Sequence, residues 1–187
     1  MRKIGVIGFG GRLGDLIQNV LLELGMDVKI AAVADTDLTA VRGRLRHPGL
    51  TADGIRFYTD AREMLDNEEL DGCMIGTRCN THTPYAVEVL RRNIPLFLEK
   101  PVSTTIEDLR ALAAAGKATT AQTVVSFPLR TSGIVRKAKA IIDSGEIGEI
   151  QHVQAYNNVP YGGCYYHSWY RDESVTGGLF LQKATHD

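Results

Sequence analysis

Arg2-Lys3-Ile4-Gly5-Val6-Ile7-Gly8-Phe9-Gly10-Gly11-Arg12-Leu13-Gly14 decides the fold. The first six residues read as a short buried strand. The glycines that follow make a tight turn. Behind them Leu13, Leu16, Ile17, Val20, Leu21 and Leu24 recur at helical spacing. Strand, glycine turn, helix is the layout that sets a pyrophosphate on a helix N-terminus, where unpaired amides and the positive dipole end face the anion. A glycine turn also joins strands to helices for steric reasons alone, so the trio needs support from elsewhere in the chain.

Working outward, strand and helix patterns alternate. Val28–Ala34 is the second strand, and Leu38–Leu45 a short helix stopped by His47-Pro48-Gly49. Phe57-Tyr58 is a short strand. Asp60 caps a helix holding Met64 and Leu65. Gly72–Gly76 is the next strand. A helix from about His82 to Arg92 follows, with Asn80 or Thr81 as its cap. Pro95–Leu98 is a strand ending at Glu99-Lys100-Pro101. Thr104 and Glu107 have capping-box spacing for a helix reaching about Gly116. Thr123–Phe127 reads as the last strand of this sheet. Beyond it come a helix over 134–143, a strand over 150–156, and a loop rich in aromatics from Tyr156 to Arg171. This order implies an α/β fold: a Rossmann-type doubly wound parallel sheet over residues 1–124, then the start of a second, α+β substrate domain over 125–187. A second domain needs more than the ~60 residues left to bury a core of its own, so the expectation is an N-terminal piece of a longer protein.

Bulk properties narrow the function. The chain has 187 residues, 44% hydrophobic and 23% charged, with a formal net charge of −1. That balance points to no nucleic-acid partner and no anionic membrane. No apolar run is long enough to span a bilayer. Cys73, Cys79 and Cys164 are few and odd in number and carry no metal-ligand spacing, which suits reduced thiols in a cytoplasmic protein with no metal site.

Three features strengthen the dinucleotide reading. The glycines follow an N-terminal strand, they open an amphipathic helix, and Asp35 ends the next strand 21 residues beyond Gly14. A carboxylate there accepts hydrogen bonds from ribose hydroxyls and repels a 2′-phosphate, which favours NAD, with NADP the alternative. Gly8, Phe9, Gly10, Gly11, Arg12 and Leu13 form the cofactor loop. Leu13 stands where a third glycine is expected. Arg12 either reaches a phosphate or is solvated, the latter favoured. Asp37 is read as a helix cap. Lys100 ends a sheet strand, where open α/β sheets bind ligands; it can stabilise a developing alkoxide, or simply pair with a nearby acid.

Glu99-Lys100-Pro101, after such a glycine loop, resembles the Gfo/Idh/MocA family of glucose–fructose oxidoreductase, inositol dehydrogenase and rhizopine-catabolism proteins. Thr77-Arg78-Cys79-Asn80-Thr81-His82 with Ala86 is similar to its Thr-Pro-Asn-x-x-His-x-x-x-Ala segment. Ser144–Gly148 resembles its helix-ending turn. Trp169-Tyr170-Arg171 and Gly177-Gly178 through His186 look like the start of its second domain. The resemblance implies hydride transfer between a nicotinamide and a secondary alcohol or ketone of a sugar, cyclitol or polyol, in a homo-oligomer when full length. It implies that Lys100 lies beside nicotinamide and substrate and that His186 is the general base. Glu99, Thr77, Asn80 and His82 fall on the cofactor side. The family's aspartate falls on Gln182, which cannot titrate, leaving Gln182 as a substrate hydrogen-bonder and Lys183 as a helper to His186. Cys79 stands where the family often has asparagine. A non-catalytic nucleotide-binding regulator is the alternative. Tyr156, Tyr161, Tyr165, Tyr166, His167 and Trp169 could stack on a sugar, build an interface or pack a core.

Overall fold

Six short parallel strands make one sheet, and their order dictates where a ligand can sit. In a computed structural model, which describes residues 1–156 and 162–184, the strands are β1 (Arg2–Ile7), β2 (Val28–Ala34), β3 (Arg56–Tyr58), β4 (Gly72–Ile75), β5 (Leu96–Leu98) and β6 (Thr123–Val125). They lie side by side as β3-β2-β1-β4-β5-β6. The order reverses between β1 and β4, and the crevice beyond their carboxyl ends is the binding place of doubly wound sheets.

Alternation along the strands explains the two covered faces. Ile7, Ala32, Cys73, Ile75 and Leu98 pack on one side with Met64 and Leu65 from α3 (Ala61–Asn67) and Ala86, Val89 and Leu90 from α4 (His82–Arg91). Val6, Ile30, Val33 and Met74 pack on the other side. Leu13 and Ile17 from the first helix and Val41 from α2 (Leu38–Arg44) cover them.

The first helix departs from its expected winding. It is α-helical over α1 (Gly11–Leu16) and π-helical over Ile17–Leu22, ending at Gly25 with φ +64°. The wider π turn puts the 3.6-residue stripe out of phase, and Val20 and Leu24 end up exposed. Gln18 is buried at this change of winding. Its amide nitrogen donates to the Gly14 carbonyl, and its Oε1 accepts from the amides of Arg46 and His47.

Other expectations need correction. The cap of α5 (Ile106–Ala118) is Thr105, whose Oγ1 accepts from the Asp108 amide, one residue later than the Thr104 box. Neither Asn80 nor Thr81 caps α4 with its side chain, because Cys79–Thr81 first forms a 3-10 turn and Thr81 Oγ1 donates to the Arg78 carbonyl. Residues 150–156 form no strand: a ladder needs a neighbour, and none of the described residues offers one. In the stop after α2, His47 Nε2 lies 3.5 Å from Glu23 and its Nδ1 accepts from the Gly49 amide. Asp37 does cap α2, accepting from Ala40. Past β6 the chain makes α6 (Gly133–Asp143), then α7 (Gly163–His167) and α8 (Glu173–Thr176), with α8 packed on the Cys79–Thr81 turn. Among the described residues no helix is long and apolar enough to cross a membrane.

Candidate functional site

A cleft of about 830 Å³ opens at the β1–β4 switch point. Its floor is the glycine loop. Gly8 has φ +81°, and a Cβ on it would stand 2.8 Å from the Thr77 amide nitrogen and 2.9 Å from the Gly76 carbonyl carbon, so only glycine fits. Gly10 and Gly11 are different. A Cβ on Gly11 would meet nothing within 4 Å, and one on Gly10 only the Gly76 carbonyl oxygen at 3.7 Å. Both line the cleft. Their bareness has no packing reason and leaves backbone open to a ligand. Gly14 makes the first helical hydrogen bond, back to Gly10 at 2.8 Å, so the amides of Gly11, Arg12 and Leu13 come before it.

Phe9 and Leu13 are not cleft residues in their side chains. Both are fully buried, Phe9 against Gly14 and Leu13 against Gly76. The Phe9 amide donates to Asp35 Oδ2 at 2.9 Å, and Asp35 Oδ1 accepts from the Asp37 amide at 3.0 Å. A carboxylate has about four acceptor sites, so Asp35 on the cleft wall keeps capacity for hydroxyl donors.

Arg12 is not left in solvent. Its Nε lies 3.5 Å from Glu99 Oε1, joining the start of α1 to the end of β5. Glu99 is buried and also accepts from the Ser126 hydroxyl at 3.0 Å. Nothing in the local sequence marks Ser126 for this contact. Lys100, half-buried on the cleft wall, donates from Nζ to the Gln182 carbonyl at 2.9 Å. Burial pushes its pKa below the ordinary lysine value. Cys79 and Glu99 oppose that shift, and Lys183 and Arg12 add to it. Gln182 is 6% exposed, and among the described residues its Oε1 has no hydrogen-bond donor. Lys183 lines the same end.

The loop after β4 supplies Thr77, Arg78 and Cys79 to the cleft. Asn80 is off the wall: in a turn of three residues its side chain points about 120° from that of Cys79. Burial raises the Cys79 thiol pKa. His82 touches the wall from within. Its Nδ1 lies 2.7 Å from the Pro101 carbonyl and its Nε2 3.2 Å from that of Thr77. Burial lowers its pKa, against the pull of both carbonyls. A neutral imidazole has one N–H, so His82 donates to one of these carbonyls, and that of Pro101, in the turn behind Lys100, is the nearer.

Of the aromatic residues, Tyr165, Trp169 and Tyr170 reach the cleft, while Tyr156 and Tyr166 are exposed. Trp169 stacks on Tyr170 at 4.0 Å, and the Arg78 guanidinium sits 3.9 Å over the Trp169 ring. Nothing in the local sequence marks Arg78 for the cleft beyond its place beside Thr77. His186 and Tyr161 lie outside the described residues.

Comparison with known proteins agrees with this geometry. Residues 2–127 match the Gfo/Idh/MocA oxidoreductase family, NAD-binding Rossmann fold, and residues 135–187 match the Gfo/Idh/MocA C-terminal domain. The chain belongs to that family. It is 26% identical over 187 residues to the rhizopine catabolism protein MocA of Rhizobium meliloti, covering 99% of this chain and 54% of that protein. It is 31% identical over 147 residues to inositol 2-dehydrogenase 2 of Saccharopolyspora erythraea, covering 78% of this chain and 42% of that one. The structure of myo-inositol 2-dehydrogenase from Lactobacillus plantarum superposes with a TM-score of 0.86 at 25% identity, over 100% of this chain and 54% of that one. The chain thus spans about half the length, or less, of the curated relatives it matches.

Proposed function

We propose that the chain supplies the coenzyme site and the opening of the substrate site of a nicotinamide-dependent dehydrogenase. Its substrate would carry a secondary alcohol on a sugar, cyclitol or related polyol. Residues 1–124 would form the dinucleotide unit and 125–187 the start of the substrate unit. One observation carries this reading: Lys100, at the carboxyl end of β5, shares one cleft with the bare glycine floor at Gly10 and Gly11 and with Asp35. Inositol dehydrogenases among the relatives support the polyol class.

The residues present fit a dinucleotide. The first amides of α1 would face the diphosphate, with Arg12 beside them. Asp35 would accept from adenosine ribose hydroxyls, which favours NAD over NADP. When bound, the coenzyme supplies or receives the hydride. The protein's share is orientation and proton control. Lys100 would donate a hydrogen bond to the substrate oxygen and stabilise its negative charge as that charge develops. Its carbonyl partner on Gln182 fixes where the ammonium sits. His186 would take the hydroxyl proton, a task suited to a near-neutral imidazole.

The test is nicotinamide absorbance on the full-length protein with NAD and a panel of polyols. Reduction with at least one polyol is expected. Coenzyme binding without reduction by any of them would favour the second reading, a nucleotide-binding regulator, which the non-titrating Gln182 side chain motivates.

A further inference from the structure

Behind Lys100 the chain leaves the sheet. The last bond to a neighbouring strand runs from the Glu99 amide to the Ile75 carbonyl at 3.0 Å. Among the described residues no main-chain hydrogen bond reaches residues 100–103. Yet Pro101 and Ser103 are buried, and carbonyls in such a place need donors. At Pro101 and Val102 side chains supply them.

His82 and Thr83, the first two residues of α4, do this in step. His82 Nδ1 meets the Pro101 carbonyl at 2.7 Å, and Thr83 Oγ1 donates to the Val102 carbonyl at 2.8 Å. Each bond joins residues 19 apart, so consecutive side chains hold consecutive carbonyls. Both residues are only 2% exposed.

Thr83 is the more telling of the two. A helical threonine commonly turns its hydroxyl back to a carbonyl of its own helix. Thr83 directs it to another segment instead. Packing alone would be served by valine, which has the same shape and no hydroxyl to desolvate. α4 is a firm base for the hold, since Ala86, Val89 and Leu90 are buried against the sheet. The far flank of the turn is closed as well. A Cβ on Gly177, which ends α8, would stand 3.2 Å from the Thr104 Cβ. Lys100 is thus carried on a turn fixed by its neighbours and not by the sheet.

We propose that Thr83, with His82, is a positioning residue for Lys100: their paired hold on the Pro101 and Val102 carbonyls sets where the ammonium meets the substrate oxygen. This rests on the dehydrogenase reading above and adds to the residues that serve it.

The test has an arm that needs no turnover. The full-length protein is treated with trace acetic anhydride at a series of pH values, and acetylation of Lys100 is read by mass spectrometry. An amine acylates only when unprotonated, so rate against pH gives the lysine's midpoint. Burial places it below 10.5 in the unaltered protein. Cys79, Glu99, Lys183 and Arg12, which act on the ammonium, remain in every variant. Thr83→Val should move the midpoint toward 10.5 by about 0.3 unit or more, as the loosened turn lets water reach the amine. Thr83→Ser keeps the donor and should leave the midpoint in place.

The second arm is kinetic. Thr83→Val should lower kcat about tenfold, a part of what an ångström of misplacement costs, while NAD+ affinity by calorimetry changes less than about twofold. In a Lys100→Met background the same substitution should cost less than about twofold, because there is no ammonium to place. If Thr83→Val fails to fold, Thr83→Ala removes the same donor with less bulk beside the stranded carbonyl.

An unmoved or lowered Lys100 midpoint without the hydroxyl, an equal shift in Thr83→Ser, or equal kcat losses with and without Lys100 overturns the proposal. The expected midpoint shift in a protein that oxidises no polyol leaves the hold on Lys100 standing and counts against the dehydrogenase reading alone.

Discussion

Leu13 and Gly76 share one space: a Cβ on Gly76 would stand 2.8 Å from both the Cβ and the Cδ2 of Leu13. The usual fingerprint puts a glycine on the helix so that helix and sheet can approach. Here the helix carries leucine, and the glycine has moved to the residue that follows β4. Gly14, one residue later, makes a similar allowance for the Phe9 ring at 3.0 Å. The altered spacing therefore keeps the close approach by another pairing.

Gly76→Ala should destabilise the fold by about 1–3 kcal/mol, the usual cost of overpacking a filled core. Leu13→Gly alone should destabilise too, by leaving a cavity. Together they should cost less than their sum, with a coupling of about 1 kcal/mol, because each removes the reason for the other. Urea unfolding of the four proteins measures this. Strict additivity would mean that the two residues do not share the space.

Asp35→Ala should weaken NAD by about tenfold, as a lost hydrogen bond to a charged group allows, while NADP binding changes little. The substitution also strands the Phe9 amide, which now donates to Asp35 Oδ2, so a stability loss of about 1–3 kcal/mol is expected alongside. The ratio of the two coenzyme affinities, taken by calorimetry, separates the effects. An unchanged ratio removes Asp35 from the ribose site.

What the sequence discloses here is mostly local. Strand, glycine turn and helix are adjacent in the chain. Asp35 and Lys100 are marked by strand ends, and Asp37 caps α2 as its spacing suggests. The rest depends on contacts between distant residues. Leu13 looks like a cofactor-loop residue until Gly76 is found opposite it, and Phe9 until its ring is found against Gly14. Arg78 becomes a site residue only when Trp169 lies beneath it. Val153 and Ala155 alternate as a strand would, but alternation supplies no hydrogen-bonding neighbour. The π winding after Leu16 has no periodic signature of its own and shows only in the exposure of Val20 and Leu24.

His82 should make the fold sensitive to acid. Burial holds its folded pKa below 6.5, while in the unfolded chain it titrates near 6.5. Well above that pH neither state binds the proton, and the group contributes no pH dependence. As pH falls through the unfolded value the unfolded chain protonates first, so stability declines until the folded pKa is reached. His82→Gln retains hydrogen-bonding reach toward the Pro101 and Thr77 carbonyls but cannot titrate. Its unfolding free energy should fall less steeply as the pH drops below about 6.5. Identical slopes for both proteins would clear His82 of this role.

Lys100→Met should lower turnover by about 10²–10³, the usual loss on removing one donor to a developing oxyanion, while NAD binding persists. The lysine must be protonated to donate, and burial lowers its pKa from 10.5. Turnover should therefore decline as pH rises through a value below 10.5, because the donor is lost there. Lys100→Arg cannot deprotonate in this range. It should be slower at its best, since its planar fork does not match the ammonium held by the Gln182 carbonyl, and that alkaline decline should be absent. The pH profiles of kcat for the two proteins check this. Full activity in Lys100→Met would exclude the lysine from the chemistry, and an unchanged alkaline limb in Lys100→Arg would assign that limb to another group.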